Sequence, residues 1–234
     1  GINDEFPVTY CWTPFEILRV PVMPAFPLHA MREEYDIIHT HATMPFVSDS
    51  SLIAAKLRGR ASVVTYHFEG NASSTSGQVL ASVYNRLLKR HILRLADRIV
   101  VTTASYADTC AALEGHEVEV IPNPVDVARY DPANTHRDAL ERHGLVDKRY
   151  ILFLGRIARY KSLEVLIESF ILLHEIFPDL HLVLAGDIRD REYHRELVTL
   201  ARHYRVDERI LFTGTVPADD LPTVYANCEV YVLP

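Results

Sequence analysis

The chain has 234 residues, room for one or two domains, and its 24 Lys and Arg against 31 Asp and Glu give a net charge of −7. With 48% hydrophobic and 24% charged residues it is outside the disordered and collagenous classes, and its acidic balance argues against a dedicated nucleic-acid binder. No apolar run reaches the roughly 18 residues of a membrane span, and no signal peptide is visible.

Short apolar runs alternate with helical patterns along the chain, the signature of parallel sheets covered by helices. The predicted strands of a first set are 36–39, 62–66, 98–102 and 118–121, and those of a second set are 150–154, 180–184, 209–212 and 229–233. Ser48 or Asp49 is expected to cap a helix running through Ala55, with Gly59 ending it. Leu163, Leu166, Ile167, Phe170 and Leu173 fit one buried helical face, and Leu197, Leu200, Ala201 and Tyr204 repeat the pattern. Between the sets the rhythm weakens into Pro-Asn-Pro and Asp-Pro-Ala-Asn. The expected organisation is therefore an α/β domain over 1–125, a linker over 126–147 and a second α/β domain over 148–234. The ligand site is expected where strand ends face the cleft between them. The chain opens at Gly1 without Met and stops at Pro234 directly after an apolar run, so it reads as an interior fragment with both doubly wound units incomplete. Cys11, Cys110 and Cys228 are odd in number, widely spaced and without CxxC, which points to a reducing cytoplasm rather than to disulfides or zinc.

The chemistry concentrates in Leu152-Phe153-Leu154-Gly155-Arg156-Ile157-Ala158-Arg159-Tyr160-Lys161-Ser162. A strand, a glycine turn, two cations five apart and a helix start suit a diphosphate. Gly155 lets the backbone turn closely, Arg156 offers a forked donor and Lys161 a compact charge.

The order of Asp36-Ile37-Ile38-His39-Thr40-His41, Val64-Thr65-Tyr66-His67, Ala96 to Val101, Ile121-Pro122-Asn123-Pro124, the Gly155 to Lys161 segment, Leu184-Ala185-Gly186-Asp187 and Phe212 to Val216 resembles family 4 glycosyltransferases. The resemblance covers nearly the whole chain from about Tyr35. It implies the GT-B fold of two Rossmann-like parallel-sheet domains and a retaining, metal-independent transfer of a hexose from a nucleotide diphosphate sugar to a hydroxyl acceptor, lipid or glycan, with no cofactor. By resemblance, Arg156 and Lys161 hold the diphosphate, and His67 stands beside the donor sugar. Gly155, Gly186, Thr215, Val216 and His41 are counted with the substrate-binding positions. The family's N-terminal glycine-rich turn and its C-terminal glutamate pair are not in this chain, and its Pro-Asn-Gly is Pro-Asn-Pro here.

His39 and His41 form an HxH that could join His67 at a metal, but no carboxylate or thiolate motif accompanies them, and no metal site is assigned. Arg86, Lys89, Arg90 and Arg94 fall on one helical face opposite Leu87, Leu88, Ile92 and Leu95. That face is either solvated or a peripheral contact to anionic lipid at the inner membrane face. Two alternatives to a transferase stand: a GT-B nucleotide-sugar epimerase and a non-catalytic nucleotide-sugar-binding scaffold.

Overall fold

The structure, a computed structural model, describes residues 8–17, 20–42, 46–67 and 84–234. They fall into two compact units, Gly1–Pro124 and Val125–Pro234.

In chain order the first unit contains β1 (Phe15–Ile17), β2 (Val20–Val22), α1 (Phe26–Arg32), β3 (Ile37–His41), α2 (Val47–Arg58), β4 (Ala61–Tyr66), a π-helical turn Tyr84–Lys89 leading into α3 (Arg90–Leu93), β5 (Arg98–Val101), α4 (Ala104–Thr109) and β6 (Glu119–Val120). The second contains α5 (Arg137–Arg142), β7 (Arg149–Leu154), α6 (Leu163–Ile176), β8 (Leu180–Ala185), α7 (Arg191–His203), β9 (Ile210–Gly214), α8 (Leu221–Ala226) and β10 (Val230–Tyr231). The two larger sheets are four-stranded and parallel, in the orders β3-β4-β5-β6 and β10-β7-β8-β9. All eight strands of the sequence reading are present.

The second sheet shows why continuous apolar runs make parallel strands. Side chains alternate faces along a strand, so a strand covered by helices on both sides needs apolar residues at every position. β8 is buried along its whole length. Ile151, Phe153, Leu182 and Leu184 pack on one face with Ile167 and Phe170 of α6 and Leu197 of α7. Tyr150, Leu152, Val183 and Ala185 pack on the other with Leu145, Val216 and Val224. The first sheet buries Val64, Tyr66, Ile99 and Val101 against Leu52, Leu93 and Leu113.

Two features depart from the sequence reading. The antiparallel pair β1–β2 has register Phe15↔Val22 and Ile17↔Val20; its strands are three residues long, one contains Pro21, and no glycine turn announces it. The cap of α2 is Phe46, at φ 74, rather than Ser48 or Asp49. Both lie buried inside the first turn, where the Asp49 carboxylate reaches back to accept the Phe46 N–H at 3.2 Å, the reach of a residue three positions into a helix. Gly59 does end α2, in left-handed conformation at φ 62, with Arg60 N donating to Ala55 O. The stretch 126–147, read as a linker, lies in the second unit and contains α5. There Arg142 and His143 close on buried Asp220, at 2.6 Å and 2.9 Å.

Candidate functional site

The expected site residues occupy the carboxyl ends of strands in both units. In the second unit Gly155, Gly186 and Gly214 stand at the ends of β7, β8 and β9, linked by Gly155 N to Ala185 O at 2.9 Å and Gly186 N to Gly214 O at 2.8 Å. Gly186 has φ +140, and a Cβ there would lie 1.9 Å from Gly155 O. Only glycine permits backbones this close, so two of the expected binding positions are one structural contact. Thr215 follows in the open. Val216 turns its side chain into the core and leaves only backbone to a ligand.

The three cations of the Gly155 to Lys161 segment have different fates. Buried Ile157 anchors the segment, donating its N–H to Asp187 O at 2.9 Å. Arg159 is held by Glu196 of α7 through two bonds of 2.8 and 2.9 Å and lies 5.0 Å over the ring of Tyr193. Arg156 and Lys161 have no ion-pair partner among the described residues. They approach the exposed ring of Tyr160 at 5.9 and 5.5 Å from its centroid. A guanidinium fork and an ammonium on one aromatic ring form an uncompensated positive site suited to an anion. The start of α6 contributes less than the sequence suggested, because its first N–H, on Leu163, already donates to the Tyr193 hydroxyl at 2.6 Å. That hydroxyl in turn donates to Glu164. Burial and the Glu164 carboxylate push the Tyr193 hydroxyl up to about 12, so it stays a donor at neutral pH.

In the first unit the parallel register Ile37↔Ala61 to His41↔Thr65 brings together histidines 26 residues apart. His39 and His41 share one face of β3. His67 directly follows β4. His39 Nε2 meets Thr65 Oγ1 at 2.8 Å, and His41 Nδ1 meets His67 Nε2 at 2.7 Å. Burial, and then the neighbouring imidazoles, hold His39 and His67 below the ordinary histidine value. His39 and His41 also line a concavity of about 540 Å³ with Tyr35 and Glu33. Among the described residues, no group of three His, Cys, Asp or Glu is arranged to hold a metal ion.

Lys89 does not join the expected cationic face. Lys89 is buried, its side chain 5% exposed, and its ammonium donates to Ser48 Oγ at 3.1 Å and to Asp49 at 3.3 Å, while the Tyr84 hydroxyl also donates to Asp49. Leu88, expected on the buried side, is exposed. The π-helical turn over Tyr84–Lys89 carries one more residue per hydrogen-bonded ring than an α-helix, so the 3.6-residue phase is lost there. Arg94 is exposed against His91 at 3.3 Å, Arg90 is half-buried, and the side chains of Arg86 and Leu87 lie outside the described residues. Among the described residues no helix is long and apolar enough to cross a membrane.

The family model Glycosyltransferase Family 4 matches residues 3–129, and the model Glycosyl transferases group 1 matches 137–234. The chain belongs to glycosyltransferase family 4. It is 26% identical to the D-inositol 3-phosphate glycosyltransferase of Acidothermus cellulolyticus, over 99% of this chain and 53% of that protein. Its fold is that of GT-B glycosyltransferases. The crystal structure of HepE from Anabaena in complex with UDP superposes with TM-score 0.66 at 19% identity, covering 88% of this chain and 54% of that one. Sucrose-phosphate synthase from Thermosynechococcus elongatus gives TM-score 0.64 at 22% identity, covering 90% and 53%. The chain spans about half the length of these relatives.

Sequence reasoning missed Tyr160, although it lies between the two cations in the chain. It also missed the Arg159–Glu196 pair, whose members are 37 residues apart and carry no local signal, and it brought His41 and His67 together only as possible metal ligands, not as a hydrogen-bonded pair.

Proposed function

We propose that this chain carries the donor site of a retaining glycosyltransferase, which moves a hexose from a nucleotide diphosphate sugar to a hydroxyl acceptor on a lipid or a glycan. The observation that carries the reading is the pair Arg156 and Lys161: two cations that, among the described residues, have no carboxylate partner at the end of β7, in a segment whose third cation is neutralised. The sister structures of HepE hold UDP and UDP-glucose, which supports a nucleotide diphosphate as the anion.

When the bond from the anomeric carbon to the phosphate oxygen breaks, its electron pair stays on the diphosphate. Arg156 and Lys161 stabilise that growing charge more in the transition state than in the ground state, taking the part a metal plays elsewhere. The acceptor oxygen bonds the anomeric carbon on the face the leaving group vacates, and its proton passes to the departing phosphate oxygen. Configuration is thereby kept. Gly155 and Gly186 supply close backbone approach, Thr215 and the Val216 backbone meet the nucleotide, and His67 with His41 orients the sugar. The setting we propose is reducing and cytoplasmic, which the odd number and wide spacing of the cysteines suggest.

The test is product analysis by proton NMR after incubation with UDP-glucose, GDP-mannose or ADP-glucose and with glycan and lipid acceptors. Free nucleotide and a product of retained anomeric configuration are expected. An inverted product, or an epimerised nucleotide sugar with no free nucleotide, would contradict the reading.

A further inference from the structure

The contact between His41 and His67 is more specific than proximity. The ring centroids are 5.0 Å apart, which is what the 2.7 Å nitrogen–nitrogen distance becomes when both ring radii are laid along the same line. The planes differ by 12°. His41 Nδ1 and His67 Nε2 therefore point at one another nearly in plane, the direction in which an imidazole nitrogen carries its proton or its lone pair. Two nitrogens so placed need one hydrogen between them: with none the lone pairs repel, and with two the N–H groups do.

We propose that His41 and His67 form a one-proton dyad in which His41 is a positioning residue that fixes the ring tautomer of His67. The inference rests on the reading of His67 as the residue beside the donor sugar. While the contact lasts, the dyad holds at most one net positive charge, and the state of each outer nitrogen follows from which ring owns the shared proton. A second charge breaks the contact and frees the His67 ring. Around the dyad, His39 from β3 lies 4.9 Å from the His41 ring and is itself bonded to the Thr65 hydroxyl of β4. Cys11, Tyr35 and the α1 pair His29 and Glu33, 3.9 Å apart, are the other titratable groups along the adjoining concavity among the described residues. The lowered affinity of His67 for protons, from burial and then from His41, agrees with this arrangement.

The experiment uses the unaltered chain labelled with ¹⁵N-histidine and needs no donor. A nitrogen–nitrogen coupling across the hydrogen bond between His41 and His67 is expected, with one dominant tautomer for each ring. In His41→Phe the tautomers of His67 should mix and its titration should rise toward 6.5, whereas His41→Asn, which keeps a hydrogen-bonding group, should hold one tautomer. Absence of the coupling near pH 8, or a His67 ring unchanged in His41→Phe, would overturn the dyad. Should His41→Phe fail to fold, the coupling in the unaltered chain decides.

Release of nucleotide from UDP-glucose, GDP-mannose and ADP-glucose separates this inference from the reading beneath it. His41→Phe should lower kcat about tenfold with donor KM nearly unchanged, as loss of an orienting partner does, and His41→Asn should restore most of it. A His67→Ala chain as active as the unaltered one would overturn the role of His67 while the coupling upheld the dyad.

Discussion

At the ends of β3 and β4 the side chains that can do chemistry hold one another: His41 on His67, His39 on Thr65. At the end of β7 Arg159 is bound by Glu196, but among the described residues Arg156 and Lys161 have no ion-pair partner and approach the Tyr160 ring. The first arrangement is a cluster of hydrogen-bonded imidazoles, of which burial and the neighbouring rings hold His39 and His67 below the ordinary histidine value. The second is permanently charged and, among the described residues, without an ion-pair partner, which is the electrostatics an anion needs. Each unit also buries a carboxylate with its partner, Asp49 with Lys89 in the first and Asp220 with His143 in the second, whereas Arg156 is exposed and Lys161 half-buried.

The largest effects should come from breaking what supports each half. Gly186→Ala drives a Cβ into Gly155 O and should cost the second unit more than about 3 kcal/mol in denaturant unfolding. Gly214→Ala at φ +70, where the Cβ would meet open space, should cost only about 1–2 kcal/mol of backbone strain. Equal costs would show that Gly186 and Gly214 are interchangeable and that the Gly155–Gly186 contact is not special. In the first unit Lys89→Ala leaves Asp49 buried without its counter-charge and should cost about 3 kcal/mol. The double change Lys89→Met, Asp49→Asn should recover part of that loss in the same unfolding measurement.

A smaller effect sharpens the comparison through pH. His39 and His67 bind protons more weakly folded than unfolded. Below about 6.5 the unfolded chain therefore takes up more protons, and the first unit should lose stability as pH falls from there. In the second unit the hydrogen bonds from Arg142, and then from His143, hold Asp220 below its usual 3.8. The folded state there binds its proton last, so this contribution is present above 3.8 and lost only as pH falls through the lowered value. Among the described residues His39, His67 and His116 of the first unit are held low against His181 of the second, so unfolding monitored at pH 7, 5.5 and 4.5 should weaken the first unit more than the second. The reverse order would contradict that difference between the units.

How much of this was legible in the sequence follows from which interactions are local. Strands such as Leu180–Ala185 announce themselves because a strand buried on both faces must be apolar throughout, and Gly155 to Lys161 is one continuous segment whose residue types already suggest an anion. Lys89 was misplaced because helical phase was counted through a π-turn that composition does not reveal. The choice of Arg156 and Lys161 over Arg159 needs Glu196, and the His41–His67 contact needs the β3–β4 register. Both are set by tertiary packing, which residue spacing does not encode.

The most direct measurement is calorimetric titration of UDP, GDP and ADP into the chain, into Arg156→Ala, Lys161→Ala, and into Arg159→Ala. The account predicts that one nucleotide binds, that the double substitution weakens it by at least about 2 kcal/mol through loss of charge-assisted contacts, and that Arg159→Ala leaves it nearly unchanged. Binding unaffected by the double substitution, or lost equally in Arg159→Ala, would contradict the claim that the two unpartnered cations are the diphosphate site.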